Sequence, residues 1–238
     1  MQIFGLEIKE SNYELLLSAI GEAIIKRDRI ALTYANQHIL NNVYKEAGLR
    51  DLYGKFDIVH ADGIGVYFAS KFLYGKGGLK VRITGSDLYE QIIPRALNER
   101  WRIYFFGDTD ETLEGISKKI PGLKIAGINN GYQFKDEEII RKINDSGADI
   151  VIVGMGSPKQ EHWIIRHKDY LAAPVIIAVG DGIKVFAGNK KRGPVWIRKT
   201  GFEWAARLTA EPLRMWRRYL IGIPLFFLRV FLFKVIRS

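Results

Sequence analysis

The sequence predicts an α/β body, a parallel sheet covered by helices, followed by a basic amphipathic helical appendage. Short β-branched and aromatic runs alternate with longer amphipathic stretches, the pattern of parallel strands joined by helical crossovers. Charge is divided unevenly along the chain. The 55 residues from Lys184 to Ser238 hold 13 of the 36 basic residues and two of the 26 acids, which leaves 23 basic against 24 acidic residues in the other 183. A near-neutral body therefore carries a tail that accounts for the whole formal charge of +10.

Residues 2–8 read as a short hairpin or edge strand. Strands are predicted over 29–35, 56–60, 102–106, 124–128, 150–153 and 175–179. Helices are predicted over 12–26, 64–73, 87–99, 111–119, 136–144, 158–170 and near 183–187. The run Gly188-Asn189-Lys190-Lys191-Arg192-Gly193-Pro194 combines turn formers with charge and marks a boundary between a body, 1–189, and an appendage, 190–238. A chain of 238 residues suits one α/β domain with an appendage. The absence of cysteine excludes disulfides, thiolate zinc sites and cysteine nucleophiles. The start, MQIFGLEIKE, lacks a basic segment followed by an apolar run, so no signal peptide is expected and the chain is placed in the cytoplasm.

The tail is apolar as well as basic. The segment 219–236 approaches the length of a membrane span, but it contains Arg229, Lys234, Gly222 and Pro224. A span needs about 20 mostly uncharged residues, and a central charge costs about 3 kcal/mol on insertion scales. A helical arm lying in the membrane interface is expected instead, with Arg and Lys heads reaching lipid phosphates. The alternative is a basic amphipathic helix packed on the body or on another subunit, so a homo-oligomer stays open. Nucleic acid is not expected as a partner, because Leu225 to Leu228 and Val230 to Phe233 form continuous apolar surface rather than stacking aromatics spaced along a charged groove.

Ligands of open α/β sheets bind beyond the carboxyl ends of the strands. Polar clusters fall there at 34–38, 61–65, 107–110, 154–158 and 180–182. Ser157-Pro158-Lys159-Gln160 reads as a helix start, with Ser as N-cap, Pro at the first helical position and Gln closing a capping box. The preceding Gly154-Met155-Gly156 would also let backbone amides approach an anion, and a nucleotide diphosphate would fit. Asp62 either caps the next helix or serves as a general base at a strand end. Asp108-Thr109-Asp110 resembles a paired-carboxylate metal motif, but it precedes Glu111 and reads as a helix cap with acids in the first turn. His38, His60, His162 and His167 have no metal-ligand spacing on one face, so no metal site is expected. No GxSxG elbow, Walker A loop or GxGxxG fingerprint occurs.

Taken together, these segments resemble the WecG/TagA/CpsF glycosyltransferase family. The likeness covers nearly the whole chain. It rests on Ala-Asp-Gly-Ile-Gly-Val at 61–66, Arg-Ile-Thr-Gly-Ser-Asp-Leu at 82–88, Asn-Asp-Ser-Gly-Ala-Asp-Ile at 144–150 and Gly-Met-Gly-Ser-Pro-Lys-Gln-Glu-His-Trp at 154–163. It extends to Glu203-Trp204, Arg207-Leu208, Glu211-Pro212 and Trp216-Arg217-Arg218-Tyr219-Leu220. The resemblance implies a Rossmann-like body and an inverting, metal-independent, cofactor-free transfer. A sugar would pass from a UDP-sugar to a polyprenyl-diphosphate-linked sugar at the cytoplasmic membrane face, with N-acetylmannosamine or its uronic acid the leading donor sugar. It implies Asp62 as base, and substrate contacts from Asn36, Arg82, Thr84, Gly85, Ser86, Gly156, Ser157, Gln160 and Glu161. It further implies that Arg207, Arg214, Arg217 and Arg218 meet a diphosphate or the anionic membrane surface.

Two departures stand out. Asn36 matches the family's Thr-x-Asn segment, but Tyr34 takes the Thr position and Thr33 lies one residue earlier. Lys184 stands where the family usually has Asp, and a cation there would suit an acidic donor sugar. A non-catalytic sugar-nucleotide-binding protein of the membrane surface and a nucleotide-sugar hydrolase are the competing classes.

Overall fold

A computed structural model describes residues 1–9, 11–190, 198, 200–201 and 203–237. Strands β1 (Gln2–Ile3) and β2 (Leu6–Glu7) make an antiparallel hairpin. The main sheet contains β3 (Ile30–Ala35), β4 (Ile58–Ala61), β5 (Arg102–Gly107), β6 (Lys124–Asn129), β7 (Ile150–Gly154) and β8 (Val175–Ala178). Its strand order is β4-β3-β8-β7-β5-β6, and every pairing is parallel. The α/β expectation therefore holds.

Helices α1 (Tyr13–Lys26), α5 (Gly85–Glu99), α6 (Asp110–Lys119) and α9 (Ile183–Phe186) pack on one face of the sheet. The other face carries α2 (Gln37–Lys45), α3 (Ala47–Tyr53), α4 (Ile64–Tyr74), α7 (Asp136–Ser146) and α8 (Lys159–His167). Strand side chains alternate between the two layers, as a period of two requires. On β7, Ile150 and Ile152 face the α1 side, and Val151 and Val153 face the α2 side.

Sequence reasoning did not separate α2 and α3 from the loop after β3. Asn36 caps α2, accepting hydrogen bonds from the N–H groups of His38 and Ile39 at 3.1 Å each. Behind that polar start, Ile39, Leu40 and Val43 form the buried stripe. The expected helix 158–170 is a helix only to His167, followed by a 3₁₀ turn at Lys168–Tyr170.

The appendage continues through α10 (Glu203–Ala210), α11 (Pro212–Trp216), a π turn at Arg217–Ile221 and α12 (Gly222–Arg237). Pro224 has no N–H to offer the carbonyl of Leu220, and the helix widens there rather than breaking. Among the described residues one helix, Pro212–Ile236, is long and apolar enough to cross a membrane by length and composition, with a mean hydropathy of 2.0. Its inner face, however, is part of the body's core. Phe226 and Val230 are buried with Phe4, Ile39 and Val43.

Arg229 corrects the expectation that it reaches lipid phosphates. Its Nη1 donates to the Asn41 backbone oxygen and to Asn41 Oδ1, both at 2.8 Å, and its guanidinium lies 4.7 Å from the Tyr44 ring centroid. Asn41 Nδ2 in turn donates to the Gly222 carbonyl at 2.7 Å. Lys234 also turns to the body, donating to the Phe72 carbonyl at 2.7 Å. The packed-helix alternative describes this inner face. The outer face still exposes Leu220, Leu228, Phe231, Leu232 and Val235, with Phe68 and Phe72 of α4 also exposed. The expected boundary at 188–194 falls partly on 191–197, outside the described residues.

Candidate active site

Strands β3 and β8 are sheet neighbours although far apart in sequence, and the loops leaving their carboxyl ends diverge. A cleft of about 570 Å³ opens there, within the range of about 300–1,000 Å³ common for small-molecule sites. Its lining comes from the ends of β3, β4 and β8, the loop after β7, the start of α5, and the appendage.

Asp62 follows β4 and lines the cleft. It does not cap α4, whose N-cap is Gly63 at φ +90° with no side-chain bond. Instead Asp62 Oδ1 accepts the N–H of Gly85 at 2.9 Å, at the first turn of α5, and Oδ2 accepts Asn36 Nδ2 at 3.4 Å. These two donors fix the orientation of the carboxyl group. Thr84 is the N-cap of α5, with its Oγ1 accepting from the Asp87 N–H at 3.2 Å. Ser86 Oγ accepts from Lys190 Nζ at 2.9 Å. Arg82 also lines the cleft, and its Nη2 donates to the Arg198 carbonyl at 2.7 Å.

Gly180 and Gly182 let two tyrosines close the floor. Gly180 has φ +52°, and a Cβ there would stand 2.6 Å from Tyr34 Oη. A Cβ on Gly182 would stand 2.1 Å from Tyr89 Cε2. Burial, with neighbouring carboxylates, raises the pKa of both phenols, so they remain neutral.

The α8 start departs from its expected form. Pro158 is the N-cap position and makes no side-chain capping bond. Ser157 Oγ instead lies 2.7 Å from Tyr53 Oη, and Gln160 does not close a capping box. Gln160 and Glu161 are both fully buried and are not among the residues that line the cleft. Gln160 Oε1 accepts the Gly180 N–H at 2.8 Å, and its Nε2 donates to Glu161 Oε1 at 2.8 Å. Thr33 Oγ1 donates to the same Glu161 oxygen at 3.1 Å. Burial pushes the Glu161 carboxyl above its usual range, opposed by these hydrogen bonds. Through these bonds the buried residues hold the loop at Gly180. Gly156 and Ser157 do line the cleft.

From the appendage, Arg207, Arg214 and Arg218 line the cleft together with Trp204 and Tyr219. Arg207 Nη2 stands 3.7 Å from Asp181 Oδ2. Arg218 is partly buried, and its buried Nε has no hydrogen-bond partner. Enclosure by the cleft, reinforced by Arg218, holds His38 at about 4, so its imidazole is neutral at pH 7. Arg217 lies outside the cleft lining, exposed, with its guanidinium 5.2 Å from the Trp216 ring centroid. Lys184 is also outside the lining, 3.5 Å from Asp181 Oδ1 and 3.8 Å from Asp108 Oδ2. Among the described residues the lysine that lines the cleft is Lys190, which sequence reasoning assigned to a boundary turn.

The carboxylates of the Asp-Thr-Asp run are engaged locally. Thr109 caps α6, Asp108 Oδ1 accepts from Thr109 N–H at 2.8 Å, and Asp110 Oδ2 accepts from Asn130 Nδ2 at 3.0 Å. That is the cap-like reading of this run.

Residues 1–238 match the Glycosyl transferase WecG/TagA/CpsF family over their full length. The chain belongs to this family. It is similar to an N-acetylglucosaminyldiphosphoundecaprenol N-acetyl-beta-D-mannosaminyltransferase of Bacillus spizizenii, with 37% identity over 172 residues, 71% of this chain and 65% of the relative. An enzyme of the same description from Staphylococcus aureus strain NCTC 8325 is 30% identical over 207 residues, 85% of this chain and 80% of the relative. The matched stretch thus spans just under two thirds of the Bacillus protein. Membership makes this protein a glycosyltransferase, and the cleft is its candidate active site.

Proposed function

We propose that the protein transfers a sugar, with N-acetylmannosamine or its uronic acid the first donors to try, from a UDP-sugar to a polyprenyl-diphosphate-linked sugar at the cytoplasmic face of the membrane. The observation that carries the reading is one cleft that combines an oriented carboxylate, Asp62, with the appendage cations Arg207, Arg214 and Arg218. The printed activities of the Bacillus and Staphylococcus relatives support the acceptor class.

In this reaction an acceptor hydroxyl oxygen forms a bond to the anomeric carbon, and the bond from that carbon to the donor phosphate oxygen breaks. The hydroxyl proton passes to Asp62, and the electron pair of the broken bond leaves on UDP. Transfer is inverting because attack and departure occur on opposite faces in a single displacement. Growing charge on the diphosphate is met by preorganised cations. With the Asp108 and Asp110 carboxylates accepting from Thr109 and Asn130 and both residues outside the cleft lining, the arginines take the role that a metal has in other transferases. The exposed apolar strip of α12 and α4, beside a basic appendage, suits a helix lying on an anionic lipid surface, where a lipid-linked acceptor would be reached without leaving the membrane.

The test is release of UDP from a panel of UDP-sugars, with EDTA present, with and without a short-chain polyprenyl-diphosphate-N-acetylglucosamine. Acceptor-dependent release that falls about 10²–10⁴-fold in Asp62→Asn is expected for loss of a general base, with UDP binding retained. Release without acceptor, or an Asp62→Asn enzyme as active as wild type, would refute the reading.

A further inference from the structure

Lys190 is a cation in an under-neutralised setting. Its side chain is 9% exposed. Among the described residues its ammonium has one hydrogen bond, to the neutral Ser86 hydroxyl at 2.9 Å. The nearest carboxylate oxygen, Asp181 Oδ2, is 3.8 Å away, beyond hydrogen-bond distance, and that same oxygen is 3.7 Å from Arg207 Nη2. The other Asp181 oxygen faces Lys184 at 3.5 Å. One carboxylate thus serves three cations, two of which line the cleft. An enclosed ammonium with spare donors is costly unless an anion completes it. Its position is informative too. Successive residues at the start of α5 hold the two opposite charges, Gly85 binding Asp62 and Ser86 binding Lys190.

We propose that Lys190 is a phosphate-binding residue of this cleft, its ammonium taking a phosphate of a diphosphate substrate beside the carboxylate of Asp62. The assignment deepens the transferase reading and rests on it for the identity of the diphosphate. That group arrives either on the nucleotide or on the lipid-linked sugar, and both carry the same chemistry. The ionisable groups acting on Lys190 are Arg207, Asp181, Asp62 and Glu203. Burial, then Arg207, holds it down at about 8, while the three carboxylates pull the other way. A bound phosphate adds negative charge and restores the proton, so binding near pH 8 takes up protons.

Titration calorimetry at pH 8 in two buffers of different ionisation enthalpy reads that uptake directly. The probes are UDP, inorganic pyrophosphate and a short-chain polyprenyl diphosphate, each with wild type, Lys190→Met and Lys190→Arg. Wild type is expected to take up a fraction of a proton with at least one diphosphate, and the probe showing this identifies the source. Lys190→Met should bind that probe roughly 10- to 100-fold more weakly at pH 7, the range for one charge-assisted contact. Lys190→Arg, whose guanidinium stays charged, should bind it without the uptake. Uptake that persists in Lys190→Arg, or equal affinity in Lys190→Met, overturns the assignment, as does failure of every diphosphate to bind wild type. Pyrophosphate or lipid diphosphate binding with the expected uptake while UDP does not bind supports Lys190 and counts against the UDP-sugar donor.

Discussion

Replacing Arg229 with Met asks whether the final helix is held by the protein or by lipid. In the structure Arg229 Nη1 serves two Asn41 oxygens at 2.8 Å, and the guanidinium covers the Tyr44 ring. Methionine keeps much of the apolar stem but leaves both oxygens without this donor. A hydrogen bond to a charged group contributes about 1.5–3 kcal/mol, and a cation–π contact about 1 kcal/mol. One nitrogen makes both hydrogen bonds, so they are not counted twice, and the loss is about 3 kcal/mol. For a chain of this size, roughly 2–4 °C per kcal/mol gives a fall of roughly 6–12 °C in the unfolding midpoint. Leu228→Ser is the companion variant. Leu228 is 55% exposed, so its loss should change stability by less than about 0.5 kcal/mol. It should weaken flotation with anionic vesicles about tenfold, because a leucine entering the interface is worth about 1.5 kcal/mol or more. Thermal melts without lipid and vesicle flotation are run on both variants. An Arg229→Met protein that melts with wild type but leaves the vesicles would show that Arg229 faces lipid, and would refute the docked helix.

Two further perturbations concern the cleft. Gly182→Ala drives a Cβ to within 2.1 Å of the Tyr89 ring. It should cost about 1–3 kcal/mol by overpacking, read as a lower denaturation midpoint, and weaken UDP binding; an unchanged midpoint would show that Tyr89 yields freely. Lys190 titrates at about 8 when folded against an ordinary 10.5. The unfolded chain therefore binds more protons between those values, and the destabilisation from burying the charge is fully present below pH 8 and fades as pH rises towards 10.5. Lys190→Met should accordingly be more stable than wild type by up to roughly 3 kcal/mol at pH 7, with the gap closing by pH 10; a constant gap across that range would show that Lys190 is not the titrating group.

The strand pattern was legible because each sheet strand is a short apolar run bounded by polar turns, and parallel strands buried on both faces must be written that way. The segment after β3 was not. Its helix α2 begins with Gln37 and His38 and carries Asn41 and Asn42 within the turn that also holds Ile39, Leu40 and Val43, so its polarity reads as a loop. Asn41 is there for the appendage: it bonds Arg229 and Gly222, residues more than 180 positions away. No local pattern reports such a partner. The same holds at α8. Ser-Pro-Lys-Gln satisfies every local rule for a capped helix, yet tertiary contacts claim both polar side chains, Ser157 for Tyr53 and Gln160 for Gly180. Asp62 was legible as a candidate because it stands at a strand end just before Gly63 and Gly65, where the residues alone allowed a cap or a base and the family resemblance implied the base. Lys190 was missed because a lysine in a turn has many.

Charge counting located the basic tail but could not divide its labour, and the geometry divides it three ways. Arg229 and Lys234 fasten the helix to the body. Arg207, Arg214 and Arg218 line the cleft. Arg217 remains outside it, exposed. The π turn sets part of this division, because one extra residue in a turn rotates everything beyond it relative to everything before. Arg218 and Tyr219, within that turn, point into the cleft, while Phe226 and Val230, just past it, point into the core. A straight α-helix through the same residues would present a different face at one end. The helix Pro212–Ile236, which supplies Arg214 and Arg218 to the cleft, also carries the exposed apolar strip. Under the proposed function, a lipid surface meeting Leu228 and Phe231 would touch the same helix, Pro212–Ile236, that carries Arg214 and Arg218, and that helix is tied to the body where Asn41 bonds the Gly222 carbonyl.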